Sequence, residues 1–86
     1  MNAEDRIAKI VARMKAGPAN ISFRDLVKVC DHYFGAPRQK GTSHNVYRTP
    51  WAGDPRVNIQ NAKGRGMPYQ VRQVLAAIEK LNQEGQ

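Results

Sequence analysis

A single cysteine, Cys30, and two histidines, His32 and His44, are all this chain has of thiol and imidazole ligands. One thiol cannot close an intrachain disulfide. One Cys with two His falls short of the four ligands that a structural zinc site uses. No metal site is expected. Long apolar runs are missing too: none approaches the ~20 residues of a membrane span, and no secretory core segment is present, so no membrane partner is expected. The unpaired thiol fits a cytoplasmic location. Acidic residues are the third shortage. Asp and Glu number 7 against 14 Lys and Arg, a net charge of +7 in 86 residues. That balance points to an anionic partner, nucleic acid or an acidic protein before an anionic membrane.

The shortage of acid is local. Residues 1–37 hold six cations and four anions, and residues 73–86 hold one cation and two anions. Between them lie Arg38, Lys40, Arg48, Arg56, Lys63, Arg65 and Arg72 against Asp54 alone. The hydrophobic fraction of 41% nevertheless supports a folded globule, and the length supports one domain over residues 1–86 with a modest core.

Periodicity then lays out the elements. Ile7, Ile10, Val11 and Met14 form an amphipathic stripe over residues 1–16, with Asn2 as cap and Gly17-Pro18 as stop. Ser22 caps a second helix, with Asp25 three residues on and Ile21 placed to staple onto Leu26. Its stripe is Phe23, Leu26, Val27, Cys30, Tyr33 and Phe34, closed by Gly35 and Pro37. Cys30 on that stripe reads as packing and His32 off it as a solvated side chain. Extended segments follow at 37–40, 43–49 and 56–60, with Pro50, Gly53, Asp54 and Pro55 turning the last two into a hairpin. Trp51 in that turn reads as a cap over the sheet edge. Residues 61–66 read as a polar loop. Pro68 opens a last helix with Val71, Val74, Leu75, Ile78 and Leu81 inward, and its tail frays from Asn82. The fold class is α+β: a small three-stranded antiparallel sheet with helices on one face.

The stretch from Gly41 to Thr49 carries the chemistry. Its His44 opens the middle strand, flanked by Arg38, Lys40 and Arg48. Imidazole is the side chain best suited to proton transfer near neutral pH. Strand alternation leaves two arrangements. If Tyr47 packs under the helices, His44 and Val46 look outward; if Val46 packs there, His44 points inward. The bulk of Tyr47 favours the first.

Gly41-Thr42-Ser43-His44-Asn45-Val46-Tyr47, a turn, Val57-Asn58-Ile59 and a final helix near Pro68 together resemble the HicA toxins. These are mRNA-cleaving members of type II toxin–antitoxin pairs. The resemblance spans residues 22–81 and leaves the first helix as an addition. It implies a double-stranded-RNA-binding-like α-β-β-β-α fold, His44 as the catalytic residue, cleavage of mRNA without metal or small-molecule cofactor, and a HicB-type antitoxin as partner. Many members carry another histidine or a proline after the third strand. This chain reads Ile59-Gln60-Asn61-Ala62 there, so the resemblance supplies no second imidazole.

Cleavage without metal requires a base for the 2′-OH proton, a donor for the leaving 5′-oxygen and cations for the phosphorane. Water, Tyr47 and Lys40 are the open choices for the partner of His44. Arg38, Lys40, Ser43, Arg48, Lys63, Arg65 and Arg72 are the expected RNA and phosphate contacts. The loop at 61–66 is read as a phosphate grip of backbone N–H groups and cations, with a merely solvated loop as the alternative. Two other readings stand beside catalysis: an RNA-binding module that does no chemistry, and a scaffold whose basic face docks an acidic protein.

Overall fold

A computed structural model describes residues 3–40, 43–53 and 55–84. The expected cap Asn2, the turn residues Gly41 and Thr42, and Asp54 lie outside the described residues. Three helices are present: α1 Ala3–Ala16, α2 Phe23–Phe34 and α3 Pro68–Glu84. A 3-10 turn, Pro18–Asn20, joins the first two. Strands β1 Gln39–Lys40, β2 His44–Arg48, β3 Arg56–Ala62 and β4 Arg65–Gly66 form one antiparallel sheet in sequential order. The α+β class and the three expected strands are therefore present, with a short fourth strand added.

α2 begins as its sequence dictates, with the Asp25 N–H donating to the Ser22 hydroxyl at 3.1 Å. The Asp25 carboxylate turns away to accept from Arg13 at 3.0 Å, tying α1 to α2. Leu26, Val29 and Cys30 are its buried residues, while Phe23, Val27, Tyr33 and Phe34 pack more loosely around the core. α3 keeps its helix through Glu84, past the expected fraying point at Asn82. Its buried face is Gln70, Val71, Val74, Ala77 and Ile78.

α1 is not an ornament. Ile7, Ile10 and Met14 join the same core cluster as Leu26, Val71 and Val74, and Met14 is completely buried. A short sheet backed by two helices encloses little apolar volume, and burial of three large side chains from α1 enlarges it. Trp51 behaves as a cap: half-buried against the core, it has the Lys80 ammonium 4.4 Å from its ring centroid.

The segment expected as a loop is instead a tight hairpin. β3 runs to Ala62, and Ala62 pairs with Arg65 across the two residues Lys63 and Gly64. Both have positive φ, 54° and 86°, the left-handed geometry that lets a two-residue turn follow the strand twist. The returning strand is held on its far side by the approach to α2. Gly66 N–H donates to the Ile21 carbonyl at 2.9 Å, and Phe23 N–H donates to Gly64 at 2.9 Å. Sequence periodicity could not show this, because β4 is two residues long and the segment that holds its far side is a linker.

Gly66 faces inward from β4, where a Cβ would stand 2.6 Å from Cδ2 of the fully buried Leu26 and 3.4 Å from Val71. Gly66→Ala is expected to destabilise the fold by about 1–3 kcal/mol through overpacking. Urea denaturation checks it: the midpoint should fall with an unchanged m-value, and an unchanged midpoint would show that β4 can retreat from α2.

Candidate functional site

Residues opposite one another in an antiparallel pair share a face. Tyr47 opposite Val57 and Asn45 opposite Ile59 lie on the helix side, and all four are buried. His44 opposite Gln60, Val46 opposite Asn58 and Arg48 opposite Arg56 therefore lie on the other side. The pair Ala62 and Arg65 extends that outer set into β4. Of the two arrangements the sequence allowed, the one with Tyr47 inward is realised. His44 is exposed.

Tyr47 is completely buried, and its hydroxyl has two partners. It donates to the Asp31 carboxylate at 2.7 Å and accepts from the Asn45 amide at 3.3 Å. The ring also meets Phe34, with centroids 6.3 Å apart. Burial, joined by the nearby Asp31 carboxylate, pushes the phenol above its ordinary value of 10.0. A buried phenol engaged this way on the helix side cannot serve a proton to His44. Lys40 pairs with Asn45, so it too belongs to the helix-side register, exposed at the sheet edge. Of the three proposed partners for His44, water alone has access to its face.

The outer face is cationic. Arg48 and Arg56 stand directly opposite each other on neighbouring strands, and Arg65 lies two strands from the His44 strand, roughly 10 Å away. Both arginines of the facing pair are exposed, as is Arg65. Val46, 8% exposed and outside the helix-side core cluster, forms an apolar floor between His44 and Arg48. Cations around an exposed imidazole on a solvent-facing sheet can hold an extended polyanion and exchange protons with it.

The remaining expected contacts do not join this face. Arg38 precedes β1 at the opposite edge, its N–H donating to Val46 at 2.7 Å. Ser43 is exposed just before β2, and its carbonyl accepts from the Asn61 N–H at 2.7 Å. Lys63 sits at the tip of the β3–β4 turn. Arg72 is on the helical side altogether, lining a groove with Ala8, Val11, Leu75 and Glu79. Two N–H groups of the loop read as a phosphate grip are used within the chain. Gly64 N–H is taken by the Asn61 side chain at 2.6 Å and Gly66 N–H by Ile21.

Sequence reasoning passed over Gln60, Tyr69 and Gln70. Because β4 ends at Gly66 and the chain leaves for α3, the Gln60 N–H has no strand beside it. The Gln70 side-chain carbonyl accepts that N–H at 2.7 Å, and its amide nitrogen lies 3.4 Å from Gln60 Oε1 and 3.4 Å from the Tyr69 hydroxyl. The signal was present: Gln70 lies four residues before Val74 on the core stripe, where a polar side chain must be hydrogen-bonded. Among the described residues no group of three His, Cys, Asp or Glu side chains gathers to hold a metal, and no helix is long and apolar enough to cross a membrane. No family model matches the chain, nor does any curated protein or solved structure.

Cys30 lies on the same helix as Asp31, completely buried, and burial pushes its thiol above the ordinary 9.0. Cys30 and Tyr47 both stay protonated in the fold at pH values where the unfolded chain has released the proton. The folded state then binds more protons, and stability falls as pH rises. Stability should be flat from these two groups between pH 7 and about 9 and decline above it. Urea midpoints measured from pH 7 to 10.5 check this, and Cys30→Val should remove the part of the decline that begins near pH 9.

Proposed function

We propose that this chain is an endoribonuclease that cuts mRNA with His44 as its general acid–base group, the toxin of a type II toxin–antitoxin pair. One observation carries the reading: His44 is exposed on the helix-free face of the sheet, in register with Gln60 and on the same face as Arg48, Arg56 and Arg65. The resemblance of residues 22–81 to HicA toxins supports it from the sequence. RNA lies along the outer face with a phosphate near the imidazole. His44 takes the 2′-OH proton, the 2′-oxygen attacks the adjacent phosphorus, and the 5′-oxygen departs with a proton from water. The arginines offset the charge that gathers on the phosphorane. Cleavage leaves a 2′,3′-cyclic phosphate and a free 5′-OH.

A lone acid–base group contributes about 10²–10⁴-fold, so the enzyme is a modest one. The substrate places its action in the cytoplasm. A HicB-type antitoxin would silence it by laying an acidic segment over the same face, masking charge and blocking access together.

His44→Ala is expected to abolish growth arrest on expression and to slow cleavage of a long RNA at least about 100-fold, with an unchanged circular dichroism spectrum. Equal toxicity of wild type and variant would end the catalytic assignment. Arg65→Ala should weaken RNA binding and flatten the log–log salt dependence by about 0.7, the value for one phosphate contact on a single strand. Arg72→Ala, on the helical side, should leave both unchanged.

One observation favours a second reading, an RNA-binding module without chemistry: neither Tyr47 nor Lys40 is on the His44 face. Salt-dependent binding by the wild type that leaves a long RNA intact would select it.

A further inference from the structure

Among the described residues Tyr69 is the one large hydrophobic side chain that is exposed, at 48%. Other aromatics of this chain (Phe23, Tyr33, Phe34 and Trp51) pack against the core. An aromatic ring left in water at the start of α3 asks for an explanation, and its surroundings supply one. Its hydroxyl is bound by Gln70, whose side chain is only 4% exposed.

The Gln70 amide can be oriented in one way only. Its Oε1 must face the Gln60 backbone N–H, 2.7 Å away, so its NH₂ group faces outward. The two hydrogens of that group are then directed at the Tyr69 hydroxyl and at Gln60 Oε1, each 3.4 Å away. Gln70 thus fixes two neighbours together. One is the Tyr69 ring; the other is the side chain of Gln60, which is the cross-strand partner of His44. Gln60 is exposed, and with its Oε1 turned to Gln70 its NH₂ is the end of the amide left to donate to a ligand. Directly opposed side chains on an antiparallel pair have Cβ atoms about 4.5–5.5 Å apart, so Gln60 is within reach of whatever His44 touches.

We propose that Tyr69 and Gln60, locked by the buried Gln70, form a nucleobase subsite next to His44, with the base flanking the bound phosphate stacked on the Tyr69 ring. This rests on the reading of the His44 face as an RNA site. Stacking suits the position, because single-stranded RNA is held by aromatic side chains on splayed-out bases, with a polar group reading an edge. The Gln60 NH₂ donates to an acceptor of that nucleotide, a base carbonyl or ring nitrogen. The arginines across the sheet hold the phosphates on either side. Cationic residues alone would let RNA slide along the face; a stacked base sets which phosphodiester stands at the imidazole. Gln70 is a positioning residue that touches no RNA.

The test uses a short single-stranded RNA carrying one 2-aminopurine, and full-length protein with His44→Ala so that the RNA remains intact. Emission should be quenched on binding. Adding Tyr69→Ala should remove the quenching and weaken binding roughly 5- to 150-fold, the range that loss of one stacked base implies. Tyr69→Phe, which keeps the ring, should bind within about threefold of the parent. Because Tyr69 is exposed, both variants should keep the parent's urea midpoint. Equal binding and quenching with and without the Tyr69 ring would overturn the subsite and leave the nuclease reading standing. Ring-dependent binding by a wild-type protein that cuts no RNA would support the subsite and remove the nuclease reading. Failure of every form to bind RNA would overturn both.

Discussion

The seat of Tyr47 decides the rest. Its ring is the largest side chain wholly enclosed between sheet and helices, and its hydroxyl is tied to Asp31 on α2 and to Asn45 on its own strand. A phenol whose hydroxyl is held by two partners cannot rotate to the other face without leaving the buried Asn45 carboxamide short of a partner, at a cost of about 1–3 kcal/mol, and giving up the bond to Asp31. Strand alternation does the remainder. With Tyr47 inward, His44 three residues earlier must be outward, and the register with β3 carries that division to Gln60, Asn58 and Arg56. One buried hydrogen-bonded ring thereby sorts the sheet into an apolar side and a cationic side.

Much of this was legible in the residues. Helical stripes of period 3.6 and the Ser22 cap located all three helices, and alternation at Arg56-Val57-Asn58-Ile59-Gln60 located the first five residues of β3, which runs on to Ala62. The exposure of His44 was narrowed to two arrangements, and the size of Tyr47 pointed to the realised one. What escaped is what depends on tertiary neighbours. β4 has no pattern of its own; it exists because Ile21 and Phe23 offer backbone partners and because Lys63 and Gly64 accept positive φ. Without that hairpin in view, Arg65 and Arg72 look like members of one basic cluster. The fold sends the first to the outer face and the second to the groove beside α1. Charge along the chain was a sound guide to sign and a poor guide to side.

Economy of the core accounts for α1. The sheet turns one face to solvent, so its apolar side chains other than Val46 find their partners on the other. α2 and α3 alone would leave Leu26, Val71 and Val74 with a thin cover, and Ile7, Ile10 and Met14 thicken it. A face left open to solvent thus has a structural consequence at the far side of the molecule, where α1 packs with α2 and α3. The groove that α1 forms with α3 is a by-product of that cover.

The shortness of β4 has a consequence at the edge of β3. A longer strand would have paired with the Gln60 N–H and sealed the edge of β3. Ending at Gly66 instead leaves a donor that must be satisfied, and a glutamine from the first turn of α3 reaches in to do so. Because that amide also holds the Gln60 side chain and the Tyr69 hydroxyl, the start of α3 becomes mechanically continuous with the strand that faces His44. The constraint runs in a definite direction. Backbone satisfaction of Gln60 draws the buried Gln70 in, the bond to that N–H fixes the orientation of its amide, and that orientation ties together the Gln60 side chain and the Tyr69 hydroxyl. A polar group drawn into a core to satisfy one backbone donor in this way also sets the arrangement of the surface side chains around it.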